Sequence, residues 1–124
     1  MTTNMKHKYL YELFPNGDIT YPYGEEDCAD FDVRETYDMA RTLIAWLYEH
    51  LRYFQEKASQ IINFEFYEFE INGEELTQIQ CIDRMVEDCK IILTNDDWNE
   101  FDKMEAAKND LFDILSKVYW AMWW

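Results

Sequence analysis

Residues 61–82 read IINFEFYEFEINGEELTQIQCI. Ile62, Phe64 and Phe66 alternate with polar neighbours, and Tyr67, Phe69 and Ile71 continue in the opposite phase. A period of two belongs to a half-buried strand, and a slip of one residue exchanges its faces. The pattern predicts a strand over 61–71 with a β-bulge near Phe66 and Tyr67. Asn72-Gly73 ends it, because both residues tolerate positive φ and can form a hairpin turn. Leu76, Ile79, Ile82, Val86, Cys89 and Leu93 then follow at helical spacing. That spacing favours a helix after the turn over a fourth strand.

On the N-terminal side, Val33, Tyr37, Ala40, Ile44, Leu47, Leu51, Phe54 and Ala58 step by four and three. This is one face of a long helix over 33–58. Met39, Leu43, Trp46 and Tyr53 widen the stripe, as in a central helix packed on two neighbours. Asp32 and Glu35 supply a capping-box signal at its start. Before it, 8–14 and 19–23 flank Pro15-Asn16-Gly17-Asp18 and read as two strands of a hairpin. Tyr9, Tyr11 and Leu13 alternate on the first, and Ile19, Tyr21 and Tyr23 on the second. Pro22 cannot donate to a ladder, which places the second strand at an edge.

On the C-terminal side, Asn95 or Asp96 can cap a last helix. Phe101, Met104, Leu111, Leu115, Val118, Tyr119 and Met122 fall on one side of it, and Asp102, Glu105, Asp110 and Asp113 on the other. The expected order is ββαβαα. The expected fold is α+β: a single acidic domain over 1–124, with a small antiparallel sheet packed against three helices, one long and central. A chain of 124 residues, 48% of them apolar, can bury one core.

The net charge is −15, from 26 acids and 11 bases. Nucleic acid and anionic membranes are themselves negative, so direct binding to either is disfavoured and a basic partner is favoured. Acidity also keeps an aromatic-rich chain in solution. The charge is clustered, however. Residues 25–38 hold seven acids and one base, 61–75 hold five acids and no base, and 39–60 hold two acids and three bases. Crowded carboxylates cost the fold stability, and solubility alone does not require the crowding. Glu25, Glu26 and Asp27 repel one another, so mild acid or added salt is expected to stabilise the chain.

No catalytic constellation emerges. Gly17, Gly24 and Gly73 are scattered, which excludes a phosphate-cradling loop. His7 and His50 lie far apart in the sequence. Cys28, Cys81 and Cys89 form no Cys-x-x-Cys pair, which argues against structural zinc and for a reducing compartment. The acidic run 25–32 lacks the glycine and downstream glutamate of an EF-hand. Asp83 and Glu87 are four apart and could hold magnesium, but no second pair faces them by pattern. Residues 1–8 are polar, and no run of 18 apolar residues exists. A cytoplasmic protein that is not an enzyme and carries no metal or cofactor is expected.

The expected partner-binding residues are Glu25, Glu26, Asp27, Asp30, Asp32, Glu65, Glu68, Glu70, Glu74 and Glu75, with Trp120 and Trp124. A rigid row of carboxylates can occupy a groove built for DNA phosphates. The leading expectation is an inhibitor that imitates DNA charge and blocks a basic nucleic-acid-binding protein, such as a nuclease effector. A phage or mobile-element anti-CRISPR or antirestriction protein is its most concrete form. An immunity or antitoxin protein capping a nuclease toxin, and a small magnesium-dependent hydrolase, are the alternatives. On a helical projection Trp120 and Trp124 fall on the acidic side of the last helix. There they could fold back onto the sheet, form a homodimer, or anchor a partner.

Overall fold

The computed structural model describes residues 8–15, 38–58, 60, 68–95 and 97–122. Its elements are α1 (Lys8–Leu13), α2 (Met39–Ala58), β1 (Glu68–Ile71), β2 (Glu74–Thr77), α3 (Gln78–Thr94) and α4 (Phe101–Val118). Short 3₁₀ turns, Trp98–Glu100 and Tyr119–Ala121, flank α4. Helices dominate, and the sheet has two strands. The expected ββαβαα order is therefore corrected to ααββαα, and no sheet of three strands forms among the described residues. The chain divides into two compact units, 1–50 and 51–124.

In the first unit, the expected strand at 8–14 is helical over Lys8–Leu13. Tyr9 and Leu10, which are adjacent, are both buried. Strand alternation would have put them on opposite faces. A six-residue helix is too short to be stable by propensity, and no acid lies in its own first turn. Glu49 of α2 supplies one. Glu49 as a residue is 1% exposed. Oε2 accepts from the Tyr9 backbone N–H at 3.0 Å, and Oε1 from that of Leu10 at 2.7 Å. Two of the orphan donors that begin any helix are thereby satisfied by a side chain 40 residues away.

Asp38 begins α2, its Oδ1 accepting from the Arg41 N–H at 3.2 Å. In the first unit Ile44, Ala45, Leu47 and Tyr48 of α2 are buried. Met39, Leu43 and Trp46 are exposed, so the wider stripe does not serve two packed neighbours as expected. The expected strand at 19–23 and the Asp32 cap lie outside the described residues.

In the second unit, Asn72 and Gly73 both have positive φ, 52° and 85°. That is the requirement of a type I′ turn, whose twist matches paired strands. β1 and β2 pair antiparallel, Phe69 opposite Leu76 and Ile71 opposite Glu74. Only Glu68–Ile71 of the expected strand over 61–71 is described as strand; 61–67 lie outside the described residues. The helix expected directly after the turn begins at Gln78, after β2. Thr77 fixes that point through a capping box. Its Oγ1 accepts from the Gln80 N–H, and Gln80 Oε1 accepts from the Thr77 N–H at 2.8 Å. Thr77→Ala is expected to cost about 1 kcal/mol, while Thr77→Ser keeps most of it. Urea midpoints of the two variants check this.

α3 packs chiefly on α4. Cys81, Ile82, Met85 and Cys89 face Leu111, Ile114 and Val118, all fully buried. Phe101 and Tyr119, expected on the inner side of α4, are instead 46% and 60% exposed. Ala107 and Ile114 hold that side. Among the described residues no helix is long and apolar enough to cross a membrane.

Candidate functional site

The hairpin sorts its acids by strand alternation. Phe69, Ile71 and Leu76 turn to the core side, and Glu68, Glu70 and Glu75 to the solvent side, where all three are exposed. Glu70 stands directly opposite Glu75 in the register. Because Ile71 and Glu74 flank a two-residue turn, they form the hydrogen-bonded closing pair. Glu70 and Glu75 therefore fall on a non-hydrogen-bonded position, where side chains come closest. Like charges directly opposite one another are destabilising. Among the described residues no cation pairs with Glu68, Glu70 or Glu75.

Two contacts hold this array to the helices. Glu74, on the core-side edge, accepts from Arg84 Nη1 at 2.9 Å. Asn72 of the turn donates through Nδ2 to Asp113 Oδ2 of α4 at 3.3 Å. Arg84 reaches further. Its Nη2 also bonds Asp110 of α4. The hydrogen bond to Asp110 is the main reason the guanidinium pKa is raised, with Glu74 contributing in the same direction.

One turn along α3, Asp88 is 8% exposed. Burial, followed by the hydrogen bond and charge of Asp110, pushes its pKa up to about 8, against an opposing pull from Arg84. Burial likewise pushes the Cys81 thiol up to about 11 and raises that of Cys89. These thiols are buried and free, and at neutral pH they are protonated, which disfavours a role as nucleophiles.

The structure thus brings together Glu68, Glu70 and Glu75 on one face, and sets Glu74, which remains exposed, in an ion pair with Arg84. Glu25, Glu26, Asp27, Asp30, Asp32, Glu65 and Trp124 lie outside the described residues. Trp120 is 84% exposed, so it does not fold back onto the core. Tyr119 meets it edge to face at 4.9 Å. Gln78, buried at the start of α3, donates to the Ala121 carbonyl at 3.0 Å and fixes the turn that presents the ring.

Asp83 accepts from Gln55 at 2.6 Å. Among the described residues no group of three or more His, Cys, Asp or Glu side chains is placed to hold a metal ion. His50 stacks on Trp46 with ring centroids 3.9 Å apart, its Nδ1 2.7 Å from the Trp46 carbonyl oxygen. An open polar groove of about 330 Å³ near the end of α3 is lined by Glu87, Lys90, Glu100 and Lys103 among others.

No protein-family model matches the chain, and no curated protein or solved structure matches it.

Sequence reading missed Asp88 as a buried carboxylate and Asp110 as the α4 partner of Arg84. Asp110 was expected on the solvent side of α4. The signal for Asp88 is its place in the series Cys81, Met85, Asp88, Ile92, where a carboxylate interrupts an otherwise apolar seam. Glu49 has the same signature, an acid between Tyr48 and Leu51 on a buried helix face.

Proposed function

We propose that this chain is a non-catalytic inhibitor that binds a basic, nucleic-acid-handling protein and occupies its nucleic-acid site. The observation that carries the reading is the uncompensated placement of Glu70 opposite Glu75, with Glu68 on the same face. A fold gains nothing from such a placement. A partner rich in Lys and Arg would supply the missing cations. The hairpin is also anchored at both Glu74 and Asn72, so the carboxylates need little further ordering on binding. In its most concrete form the protein is a phage or mobile-element antidefence factor. It acts in the cytoplasm on a CRISPR effector or a restriction enzyme by imitating DNA charge.

The test is displacement of labelled duplex DNA from a panel of purified nuclease effectors. A target should release its DNA as this protein is added, with fast association that slows steeply as salt rises. Reversing Glu68, Glu70 and Glu75 together to Lys should raise the concentration needed at least about tenfold, since each exposed pair contributes only ~0–1 kcal/mol. Displacement that ignores the reversal would sink the charge mimicry.

A second reading rests on Trp120 and Tyr119, whose exposed rings are held in place by Gln78. Exposed aromatics of this kind anchor compact interfaces. They suit an immunity protein capping a nuclease toxin, or a homodimer through α4. If Trp120→Ala abolishes displacement and the triple charge reversal does not, the immunity reading takes precedence.

A further inference from the structure

Helix α4 shows a second edge to solvent. Its inner side is held by Ala107, Leu111, Ile114 and Val118, all buried. Phe101 and Phe112 lie round the helix from these, 46% and 40% exposed. Their separation is close to three full turns, so the two rings stand on one strip roughly 16 Å apart. Between them on that strip are Glu105 and Lys108, joined by an ion pair at 3.0 Å with side chains 44% and 46% exposed. The edge therefore reads aromatic, acid, base, aromatic, at steps of four, three and four. That is the spacing of a coiled-coil seam.

We propose that this edge is the contact face for a second copy of the chain, the two α4 helices pairing antiparallel about a two-fold axis level with Ala106 and Ala107. A two-fold axis makes every contact reciprocal. The register that sets Phe101 against Phe112 of the other copy also sets Glu105 against its Lys108, because both pairs have the same midpoint in the sequence. Four charges of alternating sign then meet at the centre, with an aromatic pair at either end. Other registers lose this match. Setting Phe101 against Tyr119 puts Glu105 on Leu115, and setting Phe112 against Tyr119 carries Glu105 and Lys108 past the end of the other α4. A parallel pair sets Glu105 on Glu105 and Lys108 on Lys108.

Charge also selects the occupant. The chain carries a net −15, and most of its surface repels another copy. This edge holds one acid and one base, so it is neutral and complementary to itself. A strongly basic partner gains nothing from it. Asp113, which follows Phe112, points about 100° away round the helix and ties down the hairpin through Asn72. The hairpin is thus held to one side of the edge, and a pair of chains presents two of them. The pairing gives a register to the homodimer through α4 raised above. It rests on Phe101, Glu105, Lys108 and Phe112 rather than on Trp120 or on the inhibitor reading.

Sedimentation equilibrium of the full chain across the micromolar range tests the proposal. Wild type should dimerise. Glu105→Lys and Lys108→Glu each set like charges opposite one another twice, and each should weaken the dimer about tenfold. Both positions are exposed, so the variants should fold as wild type does. An equimolar mixture of the two restores acid against base, but only between unlike chains, while each helix keeps its own like-charged neighbours. The mixture should therefore recover a heterodimer of near wild-type strength. A wild-type chain that stays monomeric, single variants that dimerise as wild type does, or a mixture no stronger than its parts would each overturn the proposal. A dimer lost in Trp120→Ala but indifferent to both charge variants would run through the C-terminal rings and would overturn it too. No nuclease takes part in these measurements, so their failure leaves the inhibitor reading standing.

Discussion

Glu49→Ala is expected to destabilise the chain by about 3 kcal/mol, taking about 1.5 kcal/mol for each hydrogen bond to a charged acceptor. The residue is almost fully buried, and its two oxygens serve two different backbone donors at 3.0 and 2.7 Å. Alanine leaves the Tyr9 and Leu10 N–H groups with no acceptor in a place water does not reach. Because α1 is too short to persist without that acceptor, the loss should be local first. Amide exchange at Tyr9 and Leu10 should rise toward that of an unprotected chain. Glu49→Gln keeps one carbonyl oxygen and should fall between the two. Protected amides at Tyr9 and Leu10 in Glu49→Ala would show that α1 is held by apolar packing alone.

Arg84→Ala is the second large effect. The guanidinium joins Glu74 of β2 to Asp110 of α4. Removing it leaves the partly buried Asp110 carboxylate without the cation it is paired with. Breaking a fully buried pair typically costs 3–5 kcal/mol. The Arg84 side chain is 39% exposed and that of Asp110 21%, so solvent screening reduces the expected loss to about 2 kcal/mol at neutral pH. The Glu74 arm contributes little, since that carboxylate is 63% exposed. Arg84→Lys should recover only part, because an ammonium cannot span two carboxylates as the planar guanidinium does. The pair is best measured by a cycle with Asp110→Asn. Strict additivity of the two changes would mean that Arg84 and Asp110 do not cooperate in solution.

The parts of this fold that the sequence revealed are those where periodicity runs long. Ile44, Leu47, Leu51 and Ala58 of α2, and Ile82, Cys89 and Leu93 of α3, were read as inner positions and are buried. Strand alternation likewise placed Glu68 and Glu70 together on one face. Short elements were misread because their pattern is ambiguous. Tyr9, Tyr11 and Leu13 alternate over a span that also makes barely two helical turns, and the choice was made by Glu49, far away in the sequence. β2 was missed because Leu76 fits the helical series that follows it. Thr77 and Gln80 marked the true start of α3 at capping-box spacing. The Arg84–Asp110 pair between α3 and α4 was hidden for another reason: which of many charged groups meet depends on the rotation of two helices about their axes, and neither helix alone specifies it.

The crowding of Glu68, Glu70 and Glu75 also bears on how copies of this protein treat one another. A two-stranded ribbon offers backbone donors and acceptors along its flanks, and such flanks recruit strands from neighbouring molecules into aggregates. A second hairpin arriving there would bring its own carboxylates alongside these three. The repulsion that leaves the ribbon uncompensated in one molecule therefore guards its flank against the next.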